Sequence, residues 1–493
     1  MTRTWMLITT LATLALCTTP ALATNVGAAS NMSGIQGGVT SDNLINFDQN
    51  GTLTMDANGT AVDTISVAAG VAAIIQFNAT TNTIQFAAGT GAITIGAGGS
   101  LTIAGSDTSA GIDFATNNTN ATLTVNGSIA GGVNANVLTV GNNTLTVSAA
   151  ATFAGTVSMG GANATLDNNA ATTVTTLTMT GALNITPADT MVLTLSNAVS
   201  VGANTLTITG SGGGGAEAVN GTITLNNAGS QLTTAGVDAD DVLGDVTVTV
   251  SADGATLDVN FNTSPVAVNM TAGAGNLTLQ VATGKTLTTT IDVNDNTLTI
   301  SEAGTVSTVQ MDTANGILDV NETMTITTCA PSASVSADVL TAETLTVTNG
   351  LSIAANTLTL LGVGTFSRVD ATTGTITDNG GTTITDLRIT PGAGTFTWNG
   401  SGAGTVTDFL ANSTFATGNI ISKAGTGSLT ITGGVGTYFS TAATQIINVT
   451  AGTLTYGTAG ANNDVTFSQD ADEITVSNGA TLTTYGSFTV GAA

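Results

Sequence analysis

Apolar and polar residues alternate with period two through almost the whole chain, in short phrases that each open on a turn residue. Examples are Gly51-Thr52-Leu53-Thr54-Met55, Ala121-Thr122-Leu123-Thr124-Val125, Asn143-Thr144-Leu145-Thr146-Val147 and Asn296-Thr297-Leu298-Thr299-Ile300. Leu, Ile or Val on one side and Thr on the other predict a strand buried on one face only. Between the phrases, Gly, Asn and Asp supply the left-handed backbone positions that turns demand. The 3.6-residue period of an amphipathic helix is hard to find beyond the N-terminal segment.

The phrases repeat loosely, at intervals of about 7–12 or 20–30 residues, where solenoid repeats are expected. Four Asn-Thr-Leu-Thr copies begin at Asn143, Asn204, Asn296 and Asn356, steps of 61, 92 and 60 that suit multiples of one coil. Short strands, short turns and coils of that length predict an all-β fold, a parallel β-helix or β-solenoid of many Thr-rich strands over 24–493. At ~22 residues per coil and ~4.8 Å per stacked strand, this would make a rod on the order of 100 Å long. A β-sandwich array, the alternative, calls for ~100-residue modules and more aromatic core residues. Joints are expected near 211–216, where Gly212-Gly213-Gly214-Gly215 follows a strand, and near 329–333, at Cys329-Ala330-Pro331-Ser332. The glycine run is not followed by Lys-Ser/Thr, so a flexible turn is preferred to a phosphate loop.

Composition sharpens this picture. Charged residues are 7% of the 493 and aromatic residues 4%, which suits stacked coils: a repeated charge would face its own copy one strand spacing away, at ~1 kcal/mol of repulsion even in water. Thr, Asn and Gly stack without that cost. Histidine is absent, so no Ser–His–Asp triad and no His-ligated metal can be built. The net charge of −26 excludes nucleic-acid binding by counterion release.

Residues 1–23 read as a secretory signal: Arg3, an apolar core from Trp5 to Leu16, and Ala21-Leu22-Ala23 as cleavage site. Leu14-Ala15-Leu16-Cys17 is near a lipobox, with Leu16 where a small residue is required. After cleavage four basic residues remain, Lys285, Arg368, Arg388 and Lys423, and Cys329 is the only cysteine. The longest later apolar stretch, about Val67 to Ile75, is short of the roughly 20 residues of a membrane helix. The expected location is therefore secreted, extracellular or on the outer cell surface.

Candidate chemistry is sparse. Asp238, Asp240 and Asp241 with Asp245, Asp292 with Asp295, and Asp470, Asp472 and Glu473 each gather carboxylates on a turn. The first and third groups are the metal candidates, for Ca²⁺ that rigidifies the coil or bridges neighbours, although no EF-hand or Gly-Gly-x-Gly-x-Asp repeat occurs. Asp240-Asp241 resembles the paired aspartates of β-helical pectin hydrolases, but their Gly-His-Gly and Arg-x-Lys segments are missing. Cys329, in an apolar-alternating stretch, reads as a small core residue. The Asn-x-Ser/Thr triplets, such as Asn58-Gly59-Thr60, follow from composition alone.

The export signal, the Gly/Thr/Asn/Ala composition and the Asn-Thr-Leu-Thr phrase together resemble the β-helical passengers of bacterial adhesins, of the autotransporter and filamentous-haemagglutinin types. The autotransporter type is expected to end in a membrane barrel and the haemagglutinin type to begin with a long secretion domain, and no motif of either is recognised in these 493 residues. The composition is similar also to that of surface-layer proteins. The resemblance implies a non-catalytic adhesin or matrix rod without buried charge. Its partners would be a host or neighbouring cell surface, polysaccharide or matrix, or further copies in filaments or sheets. The alternatives are a divalent-cation-bridged coat and, third, a polysaccharide-active enzyme.

Overall fold

The computed structural model describes residues 24–25, 29–31, 44–55, 59–77, 83–89, 91–104, 111–116, 118–131, 136–210, 218–236, 243, 245–389, 394–411, 419–433, 445–457, 465–467, 473–485 and 488–490. Among them are 50 strands and no helix. Every strand pairing among these residues is parallel, each coil laying its strands on those of the coil before, as Thr64–Val67 lies on Leu44–Phe47 and Ile317–Val320 on Thr297–Ile300. The protein is a β-solenoid. The expected signal segment lies outside the described residues. Two compact units divide the chain, one within Met1–Ala164 with Thr172–Thr175, the other within Thr165–Ala171 and Thr176–Ala493.

The first unit winds three ladders. One runs through Leu44–Phe47, Thr64–Val67, Gly91–Ile95, Thr122–Asn126 and Thr144–Ala149. A second runs through Gly51–Met55, Ala72–Phe77, Ser100–Ala104 and Ile129–Gly131. The third runs through Gly59–Val62, Thr83–Phe86, Gly111–Asp113 and Asn136–Gly141. Coil length varies: Leu44 lies opposite Thr64, and Gly91 opposite Leu123. Turn insertions absorb the difference, which is why no strict period survives in the sequence. Inside, Phe86 and Phe114 meet edge to face with ring centroids 5.6 Å apart.

In the second unit one ladder climbs from Thr165–Asn168 to Glu473–Val476, and alternation sends every second residue inward. Leu206, Leu232, Leu257, Leu279, Ile300, Val320 and Val339 stack on seven successive strands, all buried. Each such side chain contributes about 1.5–3 kcal/mol. The second ladder contains strands that bend. In Thr305–Met311 alternation breaks once, so that Ser307 and Thr308 both face outward between buried Val306 and Val309. That doublet is a corner, where the strand passes from one side of the coil to the next.

The four-residue phrase has a structural meaning of its own. Asn296 Nδ2 donates to Val293 O (3.0 Å) and to Thr271 O on the preceding coil (2.9 Å), and its Oδ1 accepts the Gly275 amide (3.0 Å). Asn143 repeats this with Val140 O, Asn118 O and the Ala121 amide. Asn204 Nδ2 donates to Val201 O. The asparagine staples its own turn and, at positions 143 and 296, the coil beneath.

The stretch expected near 329–333 to be a joint continues the strand Met324–Pro331, with Cys329 stacked between Val309 and Leu351. Pro331 closes that strand, where its missing N–H costs least. The other expected joint, 211–216, lies outside the described residues.

Candidate interaction surfaces

Of the expected calcium ligands, Asp238, Asp240, Asp241, Asp470 and Asp472 lie outside the described residues. Asp245 is described in a turn, where its amide donates to Asn220 Oδ1 at 3.1 Å. Glu473 opens the strand Glu473–Val476, and its Oε1 accepts the Thr475 hydroxyl at 2.7 Å. Of the second pair, Asp295 Oδ1 accepts the Gly273 amide at 2.7 Å, while Asp292 sits opposite Gln310 with a buried, unpartnered Oδ1. Among the described residues no three His, Cys, Asp or Glu side chains gather as a metal cage.

Charge instead follows the ladders. Arg368 pairs with Asp370 on its own strand (2.9 Å), and Arg388 with Asp386 (2.7 Å). Stacking places Arg368 over Asp386 and Asp370 over Arg388, with Asp408 next below Asp386. The Asp386 hydrogen bond, then the charges of Asp386, Asp370 and Asp408, hold the Arg388 guanidinium above its ordinary range against its desolvation. On the first ladder of this unit, Asp338 stacks on Asp319. Partial burial, then the charge of Asp319, raises the Asp338 carboxyl.

Among the described residues the interior holds two charged ones that alternation and composition alone do not announce. Asp378 and Lys423 are 0% and 1% exposed, contrary to an interior free of charge. Asp378 Oδ1 accepts the amides of Gly381 (2.8 Å) and Thr382 (3.2 Å), and Oδ2 is buried without a partner. Burial raises its pKa, and the turn amides only partly offset this. Lys423 Nζ donates to the carbonyls of Ala424 (2.6 Å) and Gly425 (3.1 Å), and burial lowers its pKa against the attraction of Asp378. Alternation explains the placement. Lys423 follows Trp398 in an inward column and closes its strand, so its stem packs inside while the ammonium reaches turn carbonyls. Above and below, turn glycines stack backbone on backbone. A Cβ at Gly380 would strike Gly362 O, one at Gly427 would strike Gly402 O, and one at Gly452 would strike Gly427 O.

The most regular surface feature is a threonine column on the second ladder. Thr344, Thr365, Thr383, Thr405, Thr430, Thr455 and Thr483 stand directly opposite one another on seven successive coils. A shorter column, Thr286, Thr305, Thr325 and Thr346, precedes it, and Ser428, Thr453 and Thr481 run beside its end. The long column is backed by buried Phe366, Ile384, Val406, Ile431 and Tyr456. Elsewhere threonine hydroxyls are spent inside the protein, as from Thr299 to Asp319 or from Thr382 to Gly362 O. The seven hydroxyls of the column make no hydrogen bond among the described residues. The separate threonine phrases were plain in the sequence, whereas their register was not, because the turns between them differ in length.

Against known proteins, no family model, no curated protein and no solved structure matches the chain.

Proposed function

We propose that the protein is an exported, non-catalytic structural element of the cell surface, an adhesin or extracellular matrix rod that acts through a repetitive face rather than a pocket. The observation that supports this reading is the half-buried threonine column, seven coils long, whose hydroxyls make no hydrogen bond among the described residues. The lack of histidine removes the commonest acid–base and nucleophile-activating group. Among the described residues, the surface carboxylates are spread along ladders rather than gathered. A cation-bridged coat is the second reading. The Asp319–Asp338 stack supports it, because two facing carboxylates attract a shared counter-ion.

Negative-stain electron microscopy of the secreted protein, with calcium and then with a chelator, separates the two. Isolated rods unchanged by calcium are expected. Sheets that dissolve on chelation would replace the adhesin with the coat, and retention of the protein inside the cell would end both. Release of sugar ends from a polysaccharide would restore the enzyme.

A further inference from the structure

We propose that the face carrying Thr383, Thr405, Thr430 and Thr455 binds crystalline water, so that the protein adsorbs to ice. The inference is independent of export or adhesion and rests on the register of this column and on hydroxyls that have no partner among the described residues. Parallel stacking repeats the hydroxyls at about 4.8 Å from coil to coil, and residues two apart on a strand stand about 6.6 Å from each other. In a tetrahedral network of O–H···O bonds about 2.75 Å long, next-nearest oxygens lie about 4.5 Å apart, and the hexagonal axis repeats at about 7.3 Å. Both protein spacings fall within about a tenth of these.

From Thr344 to Thr430 a second Thr or Ser stands two residues after the column, as Thr385 after Thr383 and Thr407 after Thr405, whereas at Thr455 and Thr483 it stands two residues before, at Thr453 and Thr481. Of the first row, the Ser367 hydroxyl accepts the Val347 amide and the Thr432 hydroxyl donates to Val406 O and Thr407 O. Over the coils of Thr383 and Thr405 the face is thus two-dimensional, with a methyl group beside each hydroxyl along both directions. The column hydroxyls have no partner among the described residues, and the buried column beneath fixes the strands that carry them. Such a surface orders first-layer water without rearranging, and the ordering cost has been met on folding. A sugar polymer fits less well. Tyr456, beside Thr455, points inward and is 1% exposed, so this part of the face lacks the aromatic platform on which sugar rings stack.

The test is partition during slow directional freezing of the purified protein, with thermal hysteresis as a second readout. Wild-type protein is expected to be enriched in the ice over the remaining liquid. Thr405→Tyr, whose ring would stand above the plane, is expected to lose that enrichment, while Thr278→Tyr on the other ladder keeps it. Circular dichroism reports whether each variant retains its β-structure. Exclusion of the wild-type protein from ice overturns the proposal, and so does undiminished enrichment of a folded Thr405→Tyr. Because the first of these is read on the wild type, a variant that fails to fold cannot protect the idea. Adsorption to crystalline cellulose without partition into ice overturns it in favour of a polysaccharide ligand.

Discussion

At the scale of single residues, Asn296 ties two coils through three hydrogen bonds while it begins a strand phrase. Replacing it by alanine leaves the buried Gly275 amide without its partner, while the Thr271 carbonyl keeps the Ala274 amide, and a loss of about 1–3 kcal/mol is expected for the orphaned amide. Denaturant titration of Asn296→Ala against Asn315→Ala, a turn asparagine with positive φ, measures it. The phrase was legible in the sequence, but its asparagine read only as a turn former, because its partners lie up to 25 residues away. The charge of Asp338 works in the opposite direction. Burial and Asp319 raise its carboxyl in the folded state. The folded form therefore holds the proton more tightly, and stability declines as pH rises from the unfolded value of about 3.9 through the folded one. Asp338→Asn carries no charge, so it is expected to melt higher than wild type at pH 7. The gap should close below pH ~3.9, where both are neutral; melts at the two pH values check the sign. Neither this shift nor the buried Lys423 could be read from spacing, because each depends on which coil lies next door.

Elements were far more legible than their junctions. Period-two alternation identified strands such as Thr297–Ile300 and Thr357–Leu360, because one face of every coil is buried and a one-residue slip would turn it outward. Corners were not visible, since the outward doublet Ser307-Thr308 reads as an ordinary polar pair. The turns separate two roles of glycine. Gly273 takes a left-handed φ of +75° with open space around it, whereas Gly427 has the Gly402 carbonyl where a Cβ would be. Gly273→Ala should cost only the left-handed penalty of about 1–2 kcal/mol. Gly427→Ala should cost more, because the carbonyl belongs to the backbone of the neighbouring coil. In a solenoid the damage stays with nearest neighbours, so amide exchange should quicken around residues 400–456 and remain unchanged around 200–300.

On the scale of the whole molecule, the parallel stacking expected from composition and phrase spacing is what the structure shows, in each of its two units. The way the chain rations its cations has a practical effect. Lys285 follows the exposed turn Thr283-Gly284, whereas Arg368 and Arg388 sit within strands in ion pairs and Lys423 is buried. Limited trypsin digestion of the native protein is therefore expected to cut after Lys285 before the other three, and fragment masses will show the order. A last consequence comes from Cys329, 1% exposed between Val309 and Leu351, with burial pushing its thiol pKa up to about 12. Such a sulfur is silent while its coil stays closed, and it becomes an ordinary nucleophile whenever the coil parts. The protein thus carries its own stopwatch. The pace at which a thiol reagent marks position 329 would time the breathing of a single coil within the stack, with no label or probe added to the chain.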